Sequence, residues 1–292
     1  MEENVELYKI RTIGERISAT SDFVRQNWNV FVKNFLPVGL FLAVLTGFFT
    51  HNYMQDVYVM MANPTAAAIP DTNWWIYGGM TISSMLFSLF ICAGTGTILF
   101  KHAKGTLTPD TEWGDLKETF FLIAGKIFII GCFFGLIFAV PAAIMSFFSG
   151  YFMAQGNILV AGLAMSLFLA AFFVLMIVLI PSLFLMQYPV YLEGASAWEG
   201  IKKGFKWGFN YWGSTFLSVF LGGLIFVVSF YILAMPYIVY VVYTALDAGV
   251  GGWVGYLLSA LMFAVGLFLQ TGFIIFIGFQ YTSIASRLSC DN

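Results

Sequence analysis

The chain has 292 residues, 60% of them hydrophobic and only 10% charged, with a mean hydropathy of +0.87 and a formal net charge of -2. Soluble domains carry about 25% charged residues, so a water-soluble fold is excluded, and no basic patch of the kind that binds nucleic acid is present. Several apolar runs exceed the roughly 20 residues needed to cross about 30 Å of hydrocarbon, which predicts an all-α, polytopic integral membrane protein.

Residues 1–9, with Glu2, Glu3 and Glu6, read as a short solvated tail. The charged N-terminal stretch lacks an apolar h-region, so no cleavable signal is expected and targeting falls to the first span. From Ile10 a helical rhythm sets in. Ile10, Ile13, Ile17, Val24, Trp28, Phe31 and Phe35 fall on one side, against Arg11, Glu15, Asp22, Arg25, Asn29 and Lys33. This is a first amphipathic helix. Pro37 follows, and Val38 to Thr50 completes the first crossing.

Residues 51–74 read as an outer loop, with Asn63-Pro64 and Pro70, ending in the aromatic anchor Trp74-Trp75. The second span runs from Ile76 to Phe100 and carries a stripe of small polar residues at Thr81, Ser84, Ser88, Cys92 and Thr95. Thr108-Pro109-Asp110 supplies an N-cap hydroxyl, a proline at N1 and a first-turn acid, so the next helix is expected to start there. Its apolar stripe is Trp113, Leu116, Phe120, Ile123 and Ile127, and the apolar run continues to Met153. After the tight turn Gln155-Gly156-Asn157, a fourth run reaches Pro189, interrupted at Pro181.

Tyr191 to Trp212 then forms a further amphipathic stretch. At 100° per residue Trp198, Ile201, Phe205, Phe209 and Trp212 share one face, and Glu199, Lys202, Lys203, Lys206 and Asn210 the next. It is expected to lie along a membrane surface. Spans five (about Thr215 to Val241) and six (about Gly255 to Ile284) complete the chain.

All 13 Lys and Arg residues fall in four places: up to Lys33, between 101 and 126, at 202–206, and at Arg287. Loops 51–74, 154–157 and 245–254 hold none, so the positive-inside rule places both termini and all three amphipathic segments in the cytoplasm. The expected architecture is six transmembrane helices with three cytoplasmic interfacial helices. It divides into units 10–100, 108–192 and 195–287, each an interfacial helix followed by a membrane hairpin. Two spans per unit make this a threefold parallel repeat, unlike the inverted repeats of many transporters.

Pro189, Glu193, Ala195, Ser196, Ala197 and Gly204, followed by Phe209 to Gly213 entering a span, resemble the acidic-Ala-Ser-basic-aromatic segment of the bacterial YciC-like proteins. The related membrane domain of glycerophosphodiester phosphodiesterases shares it. The resemblance implies a bacterial inner-membrane protein without an assigned reaction. Phosphodiesterase activity in that family belongs to a separate soluble domain, so no catalytic residue is carried over.

The candidate contacts are on the charged side. Lys126 either snorkels to the interface and pairs with Asp115, Glu118 or Glu193, or binds an anionic headgroup. Lys202, Lys203 and Lys206 beside Trp198 would attract anionic lipid, each worth about 1 kcal/mol. Gly200, Gly204 and Gly208 recur every four residues and form a groove, either for an internal span or for a partner protein or acyl chain. Ser84, Ser88 and Gln270 line a polar path or mediate helix packing.

There is no GxSxG elbow, P-loop or HExxH, and His51 and His102 fall near opposite membrane faces. Cys92, Cys132 and Cys290 form no CxxC. Neither cofactor, metal nor catalytic group is expected. The expected function is therefore a non-catalytic scaffold or accessory subunit that engages a protein partner through its cytoplasmic helices. The alternative is a transporter or lipid-handling protein for an apolar or amphipathic substrate.

Overall fold

The computed structural model describes residues 5–62, 74–156, 158–246 and 252–290, and every regular element among them is helical. In chain order these are α1 (Ile13–Gln26), α2 (Trp28–Asn34), α3 (Leu36–Ala62), α4 (Trp74–Ala103), α5 (Trp113–Ala154) and α6 (Ile158–Leu185). A π-helical turn at Pro189–Glu193 follows, then α7 (Ala197–Asn210), α8 (Trp212–Leu246) and α9 (Trp253–Cys290). Six of them, α3 to α6, α8 and α9, are long and apolar enough to cross a membrane.

The larger differences from the sequence reading fall in four places. The first amphipathic segment is two helices, because Asn27 turns its amide back onto the Phe23 carbonyl at 2.8 Å and interrupts the rise. Residues 51–62, read as loop, continue α3; the rest of that loop, with Asn63-Pro64 and Pro70, lies outside the described residues. Thr108-Pro109-Asp110 forms a turn, with Thr111 N–H bonded to the Thr108 carbonyl, and α5 starts only at Trp113. The stretch from Tyr191 is broken by Gly194 at φ 75°, a left-handed conformation that glycine adopts without a Cβ penalty, so α7 begins at Ala197.

The chain forms two compact units. The first comprises residues 1–124 and 220–292, and its centre is the crossing of α3 with α9 and α4. A Cβ on Gly47 would stand 2.7 Å from the Ala260 backbone nitrogen, and Ser259 donates its hydroxyl to the Gly47 carbonyl at 2.9 Å. Two backbones approach this closely only where one side lacks a side chain. Burial in this unit concentrates at the end bearing Lys33, Lys101 and Arg287, where Ala93 to Leu99 of α4 and Ile274 to Ile284 of α9 are buried throughout. Phe23 of α1 fills that end, edge-on to His102 and Phe279.

The second unit, residues 125–219, is built on α6 and α7. Gly200 lies against the Met186 carbonyl, Gly204 against the Met186 backbone and Gly208 against the Ser182 backbone, and Trp212 Nε1 donates to the Val178 carbonyl at 3.1 Å. Chain positions rise on α7 as they fall on α6, so the two run antiparallel. Leu183, Leu185, Met186, Val190 and Tyr191 are buried here. In the most apolar stretch of the fourth span, by contrast, no residue is buried.

Candidate functional site

The surface of α7 is organised by its N-terminus. Ser196 caps the helix: its hydroxyl accepts from Glu199 N–H at 3.2 Å, and the Glu199 carboxylate accepts from Ser196 N–H at 2.9 Å, a reciprocal capping box. These bonds from the Ser196 backbone and hydroxyl hold the Glu199 carboxyl below its usual range, with Lys126 and Lys202 adding attraction. The same box opens α1, where Thr12 and Glu15 exchange bonds and the Glu15 carboxyl is lowered for the same reason.

From that start α7 presents three faces. The glycine face, with Ala197 and Ile201, is buried. Beside it runs an aromatic stripe in which Trp198 is 59% and Phe209 47% exposed. The third face carries the lysines. Lys202 Nζ stands 5.5 Å from the Trp198 ring centroid, and Lys203 bonds both Glu193 oxygens at 2.6 Å while lying 4.3 Å over Trp207. Lys206 is exposed. Trp198, Lys202 and Lys206 are thus brought onto adjoining open surface, and Lys203 is committed to an internal ion pair.

Two candidate contacts are engaged within the chain itself. Gly204 and Gly208 face α6 at backbone distance, so an internal span fills the glycine groove and no partner or acyl chain can enter it. Lys126 donates to the Gly194 carbonyl at 2.8 Å; it ties the left-handed glycine that precedes α7 to α5 and pairs with none of the three acids considered. On α4, Ser88 is exposed and Ser84 half-buried, and Gln270 of α9 is half-buried. The clefts beside α1 and α2 are lined by other residues.

Three features were not anticipated. In α1 the buried face is Arg16, Ala19 and Phe23, and Ile17 of α1 and Trp28 at the start of α2, both on the predicted apolar stripe, are 46% and 44% exposed. Arg11 gathers the preceding strap, donating to the carbonyls of Leu7 (3.1 Å), Lys9 and Glu6, while Arg16 donates to the Arg11 carbonyl at 2.9 Å. Burial first, and then the charges of Arg287 and Arg11, bring Arg16 down to about 10.

At the charge-poor end of the first unit, His51 is buried between α3, α8 and α9. Its Nδ1 lies 3.4 Å from the Tyr237 hydroxyl, its Nε2 3.2 Å from Gln55 Nε2, and its ring meets Tyr256 edge-on at 4.6 Å. Gly255 makes the space, since a Cβ there would fall 2.2 Å from the ring. Finally, a cleft of about 220 Å³ opens beside α2, walled by Trp28, Phe35, Phe90 and Ile91 together with Leu267 and Phe268.

Among the described residues no three His, Cys, Asp or Glu side chains approach closely enough to share a metal. Compared with known proteins, the chain matches no family model, no curated protein and no solved structure.

Proposed function

We propose that the chain is a non-catalytic scaffold or accessory subunit of a membrane complex, presenting the open side of α7 to a protein partner in the cytoplasm. One observation carries this reading: α7 is locked onto α6 through its glycines and capped at its start, yet leaves Trp198, Lys202, Lys206 and Phe209 exposed together. A rigid helix with an aromatic and basic open face suits recognition, because Trp and Arg or Lys anchors lose little freedom when they are pre-positioned.

The remaining placement follows the residues. The confinement of Lys and Arg to one side of the spans supports cytoplasmic termini, and the resemblance at Pro189 to Gly213 supports a bacterial inner membrane and kinship with the YciC-like proteins. The threefold repeat is supported by the starts of α1, α5 and α7. Thr12 with Glu15 and Ser196 with Glu199 form capping boxes, and the Glu112 N–H donates to Asp115 three residues on. The exposed Ile17 of α1, Trp28 of α2 and Trp198 of α7 fit interfacial helices, whose apolar side meets lipid or a partner.

The test is native mass spectrometry of the protein extracted from its own membrane in mild detergent. A second polypeptide at fixed stoichiometry is expected, lost in the double variant Trp198→Ala with Lys202→Ala and kept in Gly213→Ala, where a Cβ meets open space. Retention of lipid alone would favour the second reading, lipid handling, which the apolar cleft beside α2 supports.

A further inference from the structure

The cleft beside α2 rests on different residues from the α7 surface, and its chemistry points to one occupant. We infer that it holds an acyl chain of a membrane phospholipid whose anionic headgroup sits at Arg25.

Depth is the first argument. The α4 wall, Phe90 to Thr95, starts 16 residues beyond Trp74, and the α9 wall, Leu267 to Thr271, starts 14 residues beyond Trp253. At about 1.5 Å per residue the cleft stands about 21 to 32 Å along these helices from their charge-poor ends, which is the far boundary of a hydrocarbon core about 30 Å thick. An acyl chain is the molecule available there.

Lining is the second. Apart from the Thr95 and Thr271 hydroxyls the walls are aromatic and aliphatic, so a polar solute would leave its hydrogen bonds unmade. The base is closed by Phe35, whose ring would be only 2.8 Å from a Cβ on Gly94 and which meets Trp113 edge-on at 6.0 Å. Trp28 stacks on Phe268 at 5.8 Å and forms the lip.

Charge is the third. A shallow groove along α1, lined by Ile17, Thr20, Ser21 and Arg25, shares Val24 and Trp28 with the cleft. Arg25 makes a 3.7 Å contact with Asp22 between exposed side chains, the kind of pair worth little in water. A phosphate at the membrane surface offers an exposed guanidinium two parallel bonds. Apolar cleft, interfacial tryptophan and arginine thus follow one another in the order of a phospholipid's own parts.

The experiment uses the full chain in vesicles of equal parts phosphatidylglycerol and phosphatidylcholine, doped with one or the other lipid carrying a photoactivatable acyl chain. Adducts are mapped by peptide mass spectrometry. The phosphatidylglycerol probe is expected to concentrate on 24–36, 90–95 and 267–271 over the lipid-exposed residues Leu167 and Phe173 of α6. Thr271→Phe, which fills the cleft, should abolish that concentration and leave the α6 adducts unchanged. Arg25→Gln should cut the preference for phosphatidylglycerol over phosphatidylcholine by about fivefold, the effect of one basic residue at an anionic surface. Wild-type adducts spread evenly over cleft and α6 would overturn the site, and equal labelling by the two headgroups would overturn the role of Arg25. The wild-type map decides even if Thr271→Phe does not fold.

Discussion

Ser196 and Glu199 show how much of this molecule hangs on single polar atoms at helix ends. The carboxyl of Glu199 is lowered by its bonds from Ser196, so the folded state holds its charged form more tightly than the unfolded chain does. The stabilisation is therefore complete above the unfolded carboxylate pKa, about 4.3, and is lost as pH falls through the lower folded value. Ser196→Ala should melt earlier than the wild type at pH 7, with the gap closing toward pH 3, as followed by intrinsic fluorescence in detergent. A gap that stays constant with pH would mean that the box contributes through the hydroxyl alone. This cap is legible in the sequence as Ser-x-x-Glu before an amphipathic run. The His51 cluster is not, because Tyr237 and Tyr240 of α8 and Tyr256 of α9 lie about 200 residues away in the chain and only tertiary packing brings them to it.

At the scale of the element, the glycine side of α7, for which an internal span is one of the two expected neighbours, is the buried one. Close approach of backbones decides that packing. Gly200, Gly204 and Gly208 supply that approach, whereas α1 buries Phe23 together with Ala19 and leaves Ile17 exposed. At the start of α5 the predicted stripe is buried at Leu116, Phe120, Ile123 and Ile127, while its first member, Trp113, is 38% exposed. The consequence can be measured. A Cβ at Gly208 would stand 2.4 Å from the Ser182 Cα, a backbone atom that cannot swing aside. Gly208→Ala should thus cost about 1 to 3 kcal/mol, the usual range for overpacking, whereas Gly213→Ala should stay within about 0.5 kcal/mol. Equal stability of the two variants in denaturant titration of the detergent-solubilised chain would show that α7 does not depend on this contact.

For the molecule as a whole, charge distribution and burial coincide. Within the first unit the buried runs of α4 and α9 lie at the basic end, and the charge-poor end keeps a smaller aromatic and His51 cluster. Inserting such a chain the other way would carry thirteen Lys and Arg residues across the bilayer, and short basic segments near span ends resist translocation. Orientation can be read with two thiols. Cys290 is native and exposed at the end of α9, and Gln155 is exposed at the turn after α5, on the charge-poor side. In intact cells a membrane-impermeant maleimide should label Gln155→Cys strongly and leave the wild-type chain, which still carries Cys290, at background. After the membrane is permeabilised Cys290 should label as well. Cys132 lies within the apolar run of α5, where an aqueous reagent does not reach it, so it adds the same low background in every sample. Labelling of Cys290 from outside, with Gln155→Cys protected, would reverse the topology and move the open face of α7 out of the cytoplasm. The scaffold reading would then need an extracytoplasmic partner, while the lipid cleft, whose argument rests on depth and charge within one unit, would move to the outer leaflet with its chemistry unchanged.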